Sequence, residues 1–349
     1  MARDPDHVSR RELLLAGCGV LGLCPAALIA AQSKARPAVP RWPAGLRRVA
    51  RNVYAYTQAG GPGINNASLS NAGLIIGPES MLAIDTLGPP VHAKAFRAAA
   101  LQAAGKPFDR VLNTHHHRDH TNGNYLYTPV EIVAHEYCRE ATIAQGIPAH
   151  PYEERPEWQE GIAELRLAPA TTTFTGERRY RYGDLEVHAI TNAPAHSWGD
   201  VMVYLPQHRL LFAGDIAFFY VTPAAHNGHV TRWIEAIDRV MRLDVDVIVP
   251  GHGPIGTKKE LAETRAYLEL VAAETRKRHA RGMTAGEAAA DIELGRFERW
   301  ANPERNAWNT VRVYAELDGT LSPAQDLAAQ ARAVAEYTQL RANRGARSR

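Results

Sequence analysis

The sequence is poor in cysteine, in aromatic residues and in net charge. Three cysteines in 349 residues are too few for a disulfide scaffold. Only seven residues are phenylalanine. A net charge of +3 does not indicate a protein that coats nucleic acid. Charged residues at 22% and hydrophobic residues at 45% exclude a disordered or collagen-like chain and leave enough apolar residues for a large core.

Apolar runs long enough to span a membrane are lacking after residue 31. The one long run before it follows two adjacent arginines, Arg10 and Arg11, and is rich in glycine and alanine. This pattern is typical of a twin-arginine export signal. We therefore predict a signal peptide over residues 1–33, recognition by the twin-arginine export machinery and a periplasmic location. An uncleaved membrane anchor and a lipoprotein attached through Cys18 are the alternatives.

The rest of the chain divides into three parts by composition. Residues 34–47 are rich in proline and arginine and are predicted as a linker. Residues 48–257 contain two successive halves, each with strands, a helix and a final strand, which predicts an α/β domain of two packed sheets with helices outside. Residues 258–349 are predicted as a C-terminal helical extension. Its last helix is expected over residues 323–341, with Ser322 as its N-cap.

Histidine is abundant, with 15 copies. The segment HHHRDH at residues 115–120 directly follows an apolar run. Imidazole and carboxylate groups are the usual ligands of zinc and similar ions. In a loop that leaves a strand, alternate side chains can turn toward one point. His115 and His117 can therefore hold one ion, while Asp119 and His120 face an adjacent position. A histidine-rich surface loop without a metal is the alternative.

Three more residues can complete such a site. His196 lies between two predicted strands, Asp215 follows the apolar run LLFAG, and His252 follows a further strand. Alone, each has an ordinary structural interpretation as a loop hydrogen bond, a helix N-cap or a turn. Together with the histidine segment they supply enough ligands for two adjacent ions.

This set of motifs resembles the metallo-β-lactamase superfamily, over about residues 48–256. The resemblance implies an αββα four-layer sandwich that holds two divalent metal ions, with zinc favoured and iron or manganese as alternatives. It assigns the ligands as follows: His115, His117 and His196 to the first ion, Asp119, His120 and His252 to the second, and Asp215 to both. It also implies that Asp85, after the run MLAI, orients ligands from behind.

The same resemblance implies a hydrolase. A hydroxide held by the two metals would cleave a small ester, lactone or amide, β-lactams included, in the periplasm. Asp119 would orient the water and move a proton. The alternatives are an iron-dependent oxidoreductase of the same fold, similar to persulfide dioxygenases, a phosphodiesterase or nuclease, and a non-catalytic accessory protein.

The sequence gives fewer indications of how a substrate is bound. Tyr220, His226 and His229 follow Asp215 and are candidates for binding a small-molecule substrate. Nucleic acid is not expected as a partner because the chain has no basic run. Cys138 is expected to be buried and inert. The oligomeric state is left open.

Overall fold

The computed structural model describes residues 38–347, which form two β-sheets flanked by helices. The first sheet contains β1 (Gly45–Ala50), β2 (Val53–Thr57), β3 (Ala72–Ile76), β4 (Met81–Ile84), β5 (Phe108–Leu112), β6 (Glu131–His135) and β7 (Thr172–Phe174). The second contains β8 (Glu177–Tyr182), β9 (Leu185–Thr191), β10 (Val201–Leu205), β11 (Leu210–Phe218) and β12 (Val247–His252). The helices are α1 (Pro90–Ala104), α2 (Arg118–Thr121), α3 (Glu136–Gln145), α4 (Val230–Arg242), α5 (Lys258–His279), α6 (Ala285–Asp291), α7 (Arg305–Leu317) and α8 (Leu327–Arg347).

Both sheets keep their strands in chain order, and both are mixed. Strands β1 to β4 are antiparallel, whereas β4 to β7 are parallel. Strands β8 to β11 are antiparallel, and β12 runs parallel to β11. Neighbouring parallel strands end at the same edge of a sheet. Residues that follow β4 and β5 therefore meet at one edge of the first sheet, and those that end β11 and β12 meet at one edge of the second.

The core has three layers of apolar packing around the two sheets. Between the sheets, side chains such as Leu82 and Leu112 meet Val203 and Phe212. On the outer face of the first sheet, α1 and α3 pack over β3 to β6. On the outer face of the second, α4 and α5 cover β10 and β11, and Trp233 is fully buried there. This arrangement is the predicted αββα sandwich.

The C-terminal helices α6, α7 and α8 pack on one another through a small alanine-rich core. The expected start of the last helix at residue 323 is wrong, because α8 begins at Leu327. Asp326 accepts a hydrogen bond from the backbone of Ala329 at 2.9 Å and acts as the N-cap. The guanidinium of Arg312 donates to the carbonyl of Ser322 at 2.7 Å and holds that segment outside the helix.

The N-terminal boundary also differs from the expectation. Strand β1 begins at Gly45, inside the predicted linker, because Gly45 pairs with Thr57 of β2. Within the described part of the chain, no helix combines the length and the apolar character needed to cross a membrane. The predicted signal peptide, its twin arginines and the two alternatives for that segment lie outside the described residues.

Candidate metal centre

The seven predicted ligands come together where strands of both sheets end. The loop after β5 leads into the short helix α2 and carries the histidine segment, and Asp215 lies within β11. His196 lies in the loop between β9 and β10, and His252 is the last residue of β12. Their ligand atoms form two groups: a first group of His115, His117, His196 and Asp215, and a second group of Asp119, His120 and His252.

The first group is tightly spaced. Nδ1 of His117 lies 3.0 Å from Nε2 of His115 and 2.8 Å from Nε2 of His196. Oδ2 of Asp215 lies 3.1 Å from Nε2 of His196 and 3.7 Å from Nε2 of His115. Three ring nitrogens and one carboxylate oxygen therefore face a single point.

The second group adjoins the first through the carboxylate of Asp215. Nε2 of His252 lies 3.3 Å from Oδ2 of Asp119, and Nε2 of His120 lies 3.9 Å from that oxygen. Asp215 faces both rings as well, with Oδ1 3.1 Å from Nε2 of His120 and Oδ2 3.4 Å from Nε2 of His252. The carboxylate of Asp215 thus lies between the two groups.

Backbone geometry makes room for that carboxylate. Gly214 adopts a left-handed conformation with φ of 52°, at an irregularity in the pairing of β11 with β12. Gly251 of β12 packs so closely that a Cβ there would lie 1.8 Å from Oδ1 of Asp215. The two glycines let β11 and β12 approach each other at the position of Asp215.

Asp85 holds two of the rings from behind. It follows β4 with φ of 57°, and it accepts hydrogen bonds from the backbone and the hydroxyl of Thr114, both at 2.7 Å. It also accepts from Nδ1 of His120 at 2.9 Å. Because the Thr114 hydroxyl donates to Asp85, it accepts from Nδ1 of His115 at 3.1 Å. Nε2 of both rings is left with a free lone pair toward the centre.

Two asparagines that were not predicted from the sequence orient two other rings by hydrogen bonds. The side-chain oxygen of Asn66 lies 2.8 Å from Nδ1 of His252, and that of Asn227 lies 3.0 Å from Nε2 of His117. An amide oxygen can only accept, so these ring nitrogens carry hydrogen. The opposite nitrogens therefore also present lone pairs to the cluster.

The two groups of histidines respond differently to their surroundings. Burial lowers the pKa of each histidine in the first group. In the second group burial also lowers the pKa, but the nearby carboxylates, chiefly Asp215 and Asp119, together outweigh it and raise the pKa of His120 and His252. Burial would raise the pKa of Asp215, yet the surrounding rings hold it below its ordinary value.

These residues fit divalent metal ions. Nε2 of His120 and Oδ1 of Asp215 are buried and lie 3.1 Å from each other, and neither has another hydrogen-bond partner among the described residues. Lone pairs that converge in a buried site are costly unless a cation lies among them. Imidazole nitrogens and carboxylate oxygens are the donors that zinc and related ions prefer.

The comparison with known proteins agrees with this chemistry. Residues 65–252 match the family profile described as the metallo-beta-lactamase superfamily, which is more than half of the chain. The chain belongs to this superfamily. The matched segment contains all seven predicted ligands and Asp85.

Two curated relatives in the superfamily come from bacteria. The chain is 30% identical over 184 residues to the 2,4-dinitroanisole O-demethylase subunit alpha of Nocardioides sp., which covers 51% of each chain. It is 22% identical over 261 residues to a linear primary-alkylsulfatase of Pseudomonas sp., which covers 63% of this chain and 49% of that one. The chain therefore spans about half the length of these two relatives.

A solved structure supports the fold. The sec-alkylsulfatase Pisa1 from Pseudomonas sp. superposes with a TM-score of 0.60 at 20% identity, and the match covers 78% of this chain and 50% of that one.

A cavity of about 390 Å³, called the metal cavity below, opens over the cluster. Part of its wall comes from the C-terminal extension, beyond the superfamily match. Arg305 and Trp308 of α7, Gln325, and Leu327 of α8 line it. None of these residues belonged to a recognisable sequence motif.

Of the three candidates for substrate binding, His226 lines the metal cavity. Its ring centroid lies 5.5 Å from that of His117 and 4.4 Å from that of Trp308. Burial, helped by the nearby His117, lowers the pKa of His226 to about 3. His226 is therefore a neutral ring at the wall of the cavity.

The other two candidates do not line the metal cavity, which corrects both predictions. Tyr220 takes a left-handed φ of 61°, which carries its ring away from the cluster to pack on the core beneath α4 and α5. His229 is the N-cap of α4 and lies 3.2 Å from Glu316. Cys138 is 1% exposed, and burial raises the pKa of its thiol, in agreement with an inert role.

Proposed function

We propose that the chain is a metal-dependent hydrolase that binds two divalent ions, with zinc as the metal. The observation that carries the proposal is the position of Asp215, whose carboxylate oxygens lie 3.1 Å from His196 of the first group and 3.1 Å from His120 of the second. The first ion would be held by His115, His117 and His196, and the second by Asp119, His120 and His252, with Asp215 shared.

Two bound ions would lower the pKa of water toward neutrality and polarise the bond to be cleaved. The chain supplies the remaining functions. The Asp119 side chain is 17% exposed, beside the metal cavity. Its pKa lies below the ordinary range, since His120 and His252 outweigh the effect of burial. Asp119 is therefore ionised at neutral pH and can accept a proton from water and pass it to a leaving group.

The proposed substrate is a small ester, lactone or amide, with β-lactams included. A cavity of about 390 Å³ is of the size that small-molecule sites have. The relation to a primary-alkylsulfatase adds sulfate esters to the classes to be tested. The iron-dependent oxidoreductase needs only the first group, and the complete second group argues against it. No observation favours a nuclease.

The experiment is a substrate panel on enzyme loaded with zinc, iron or manganese, together with elemental analysis. The panel contains chromogenic esters, lactones, phosphodiesters, sulfate esters and β-lactams. We expect about two zinc ions per chain and turnover of at least one substrate class. Removal of the ions by a chelator should abolish this turnover. One iron per chain without zinc, or no turnover of any class, would overturn the proposal.

Replacing Asp119 with alanine is expected to lower kcat/KM at least about 100-fold, because the variant loses its proton acceptor beside the cavity. The first group is untouched, so the thermal unfolding temperature should stay close to that of the parent and about one ion should remain. Asp184→Ala, at a surface position with the side chain 63% exposed, is the matched control and should keep full turnover. Unchanged kcat/KM in Asp119→Ala would remove the proposed role.

We also propose that the enzyme is exported to the periplasm by the twin-arginine pathway. Changing Arg10 and Arg11 together to lysine keeps the charge but removes the arginine pair that the pathway reads. We expect the variant to stay in the cytoplasm in cell fractionation, while a variant with only Lys34 changed to arginine is exported normally. Periplasmic accumulation of the double lysine variant would contradict the proposal.

A further inference from the structure

A second cavity of about 540 Å³ adjoins the metal cavity. It lies between α3 and the segment 323–327 that leads into α8, and we call it the side cavity. The two cavities share four lining residues: Arg118, Gln145, Gln325 and Leu327. The two cavities therefore meet along these four residues.

The surface of the side cavity is mostly apolar. Ala141 and Ala144 of α3 form one wall, and Pro323, Ala324 and Leu327 form the other. Leu327 is 68% exposed, more than any other large apolar side chain in the described part of the chain. Covering such a side chain with an apolar ligand would be favourable.

The polar groups at the floor of the side cavity largely bond to one another. Asn227 contacts Nε2 of His116 at 3.2 Å and the hydroxyl of Tyr137 at 3.4 Å. That hydroxyl donates to the carbonyl of Pro323 at 3.2 Å. Nδ1 of His116 is left without a partner among the described residues. The polar groups of the floor are thus mostly satisfied within the protein.

Charge at the side cavity disfavours a negatively charged occupant. Glu140 lines it and is exposed. The guanidinium of Arg118 lies at the junction, but it donates to the carbonyls of Gln145 at 2.8 Å and Gly146 at 3.3 Å. Its charge is therefore partly used in holding the end of α3. An uncharged apolar group fits these surroundings best.

We propose that the side cavity binds an uncharged alkyl or acyl chain of the substrate while its scissile bond lies at the metal cluster. This inference rests on the proposed hydrolase function and names its substrate class: esters with a medium-length apolar chain. The two cavities together offer more volume than a short-chain ester would fill. Because small-molecule sites bury most of their ligand, a substrate with a longer chain suits this volume better.

The test is a chain-length series on the metal-loaded full chain. The series consists of p-nitrophenyl alkanoates from acetate to decanoate, or alkyl sulfates of the same lengths if the panel selects sulfate esters. We expect kcat/KM to rise about threefold for each added methylene, up to the octanoate or octyl member, because each methylene is removed from water. A flat profile overturns this inference and leaves the hydrolase proposal standing. Absence of turnover for every class overturns both.

Three variants of α3 locate the effect. Ala144→Trp and, as a second choice, Ala141→Trp place a large side chain in the side cavity. In each variant we expect the ratio of kcat/KM for the octyl member to kcat/KM for the shortest member to fall at least about tenfold. The kcat/KM of the shortest member itself should stay unchanged. Ile143→Trp is the matched control, because Ile143 is 50% exposed on the same helix but does not line the cavity. Circular dichroism checks that each variant is folded. An unchanged chain-length profile in both alanine variants overturns the inference.

Discussion

Replacing Asp215 with asparagine is expected to abolish turnover, lowering kcat/KM by about 10⁴-fold or more, and to reduce the metal content from about two ions to less than one per chain. The carboxylate faces rings of both groups, with His196 and His120 each at 3.1 Å and His252 at 3.4 Å. An amide of the same shape loses the negative charge that two cations need, and its NH₂ group offers no lone pair. Elemental analysis and steady-state kinetics on the same preparation measure both effects.

The comparison with Asp119→Ala makes this prediction specific. Asp119 belongs to the second group alone, so its loss should spare the ion of the first group, whereas Asp215→Asn should weaken both. Both substitutions alter one carboxylate near the same cavity. A difference in metal content between the two variants would therefore show that Asp215 is shared by the two ions. Equal metal content in the two variants, or near-parental turnover in Asp215→Asn, would contradict the shared position.

Substituting Gly251 with alanine is expected to disable the same site without changing any ligand. The new Cβ would lie 1.8 Å from Oδ1 of Asp215, so one of the two must move. Gly251 cannot easily withdraw, because its carbonyl accepts a hydrogen bond from the backbone of Asn71 at 2.7 Å. The side chain of Asn71 also donates to the carbonyl of the preceding residue, Pro250. Asp215 therefore has to turn away. We expect a loss of about 1–3 kcal/mol in the free energy of unfolding from overpacking, and at least about a 100-fold loss in kcat/KM.

Gly176→Ala separates the effect on the site from the effect on stability. Gly176 has φ of 77°, and no atom lies within 4 Å of the point that a Cβ would occupy, so alanine there costs about 1–2 kcal/mol through its backbone conformation alone. It lies before β8 and does not line the metal cavity. Chemical denaturation should show destabilisation of both glycine variants, while kinetics should show a loss only in Gly251→Ala. A comparable loss of kcat/KM in both would indicate a general effect of destabilisation.

The ligands could be predicted from the sequence because their signals are local. The histidine segment follows β5 directly, and Asp215 and His252 lie within strands whose apolar runs are visible in the sequence. The order of sheets and helices followed from the same apolar runs. The αββα arrangement could then be inferred because strands and helices with one apolar face must cover one another.

The residues that hold and surround the ligands carry no such signal. Asn66 lies 186 positions from His252, and Asn227 lies 110 positions from His117. An asparagine in a glycine-containing loop is as readily explained by a turn. Arg305 lies in a helix whose pattern is determined by packing, and its guanidinium is bound to the carbonyls of Thr222 and Asn66 in the fold.

The errors arose where a local rule met a distant contact. Pro323 favours the first turn of a helix, but Arg312 fixes residues 322 and 324 through their carbonyls, and the helix starts later. Tyr220 and His229 are close to Asp215 in sequence, yet a single left-handed residue and a helix cap turn them away.

The wall that α7 and α8 contribute has a consequence for how the proposed hydrolase can change. The superfamily match ends at His252, whereas Arg305, Trp308 and Leu327 come from the chain beyond it. The predicted ligands thus lie within the superfamily match, whereas part of the wall around them lies on a separate stretch of the polypeptide. Under the proposed function, we expect substitutions after residue 300 to alter substrate selection while the loops that carry the predicted ligands keep their sequence. The extension is therefore the segment to diversify in a library aimed at altered substrate range.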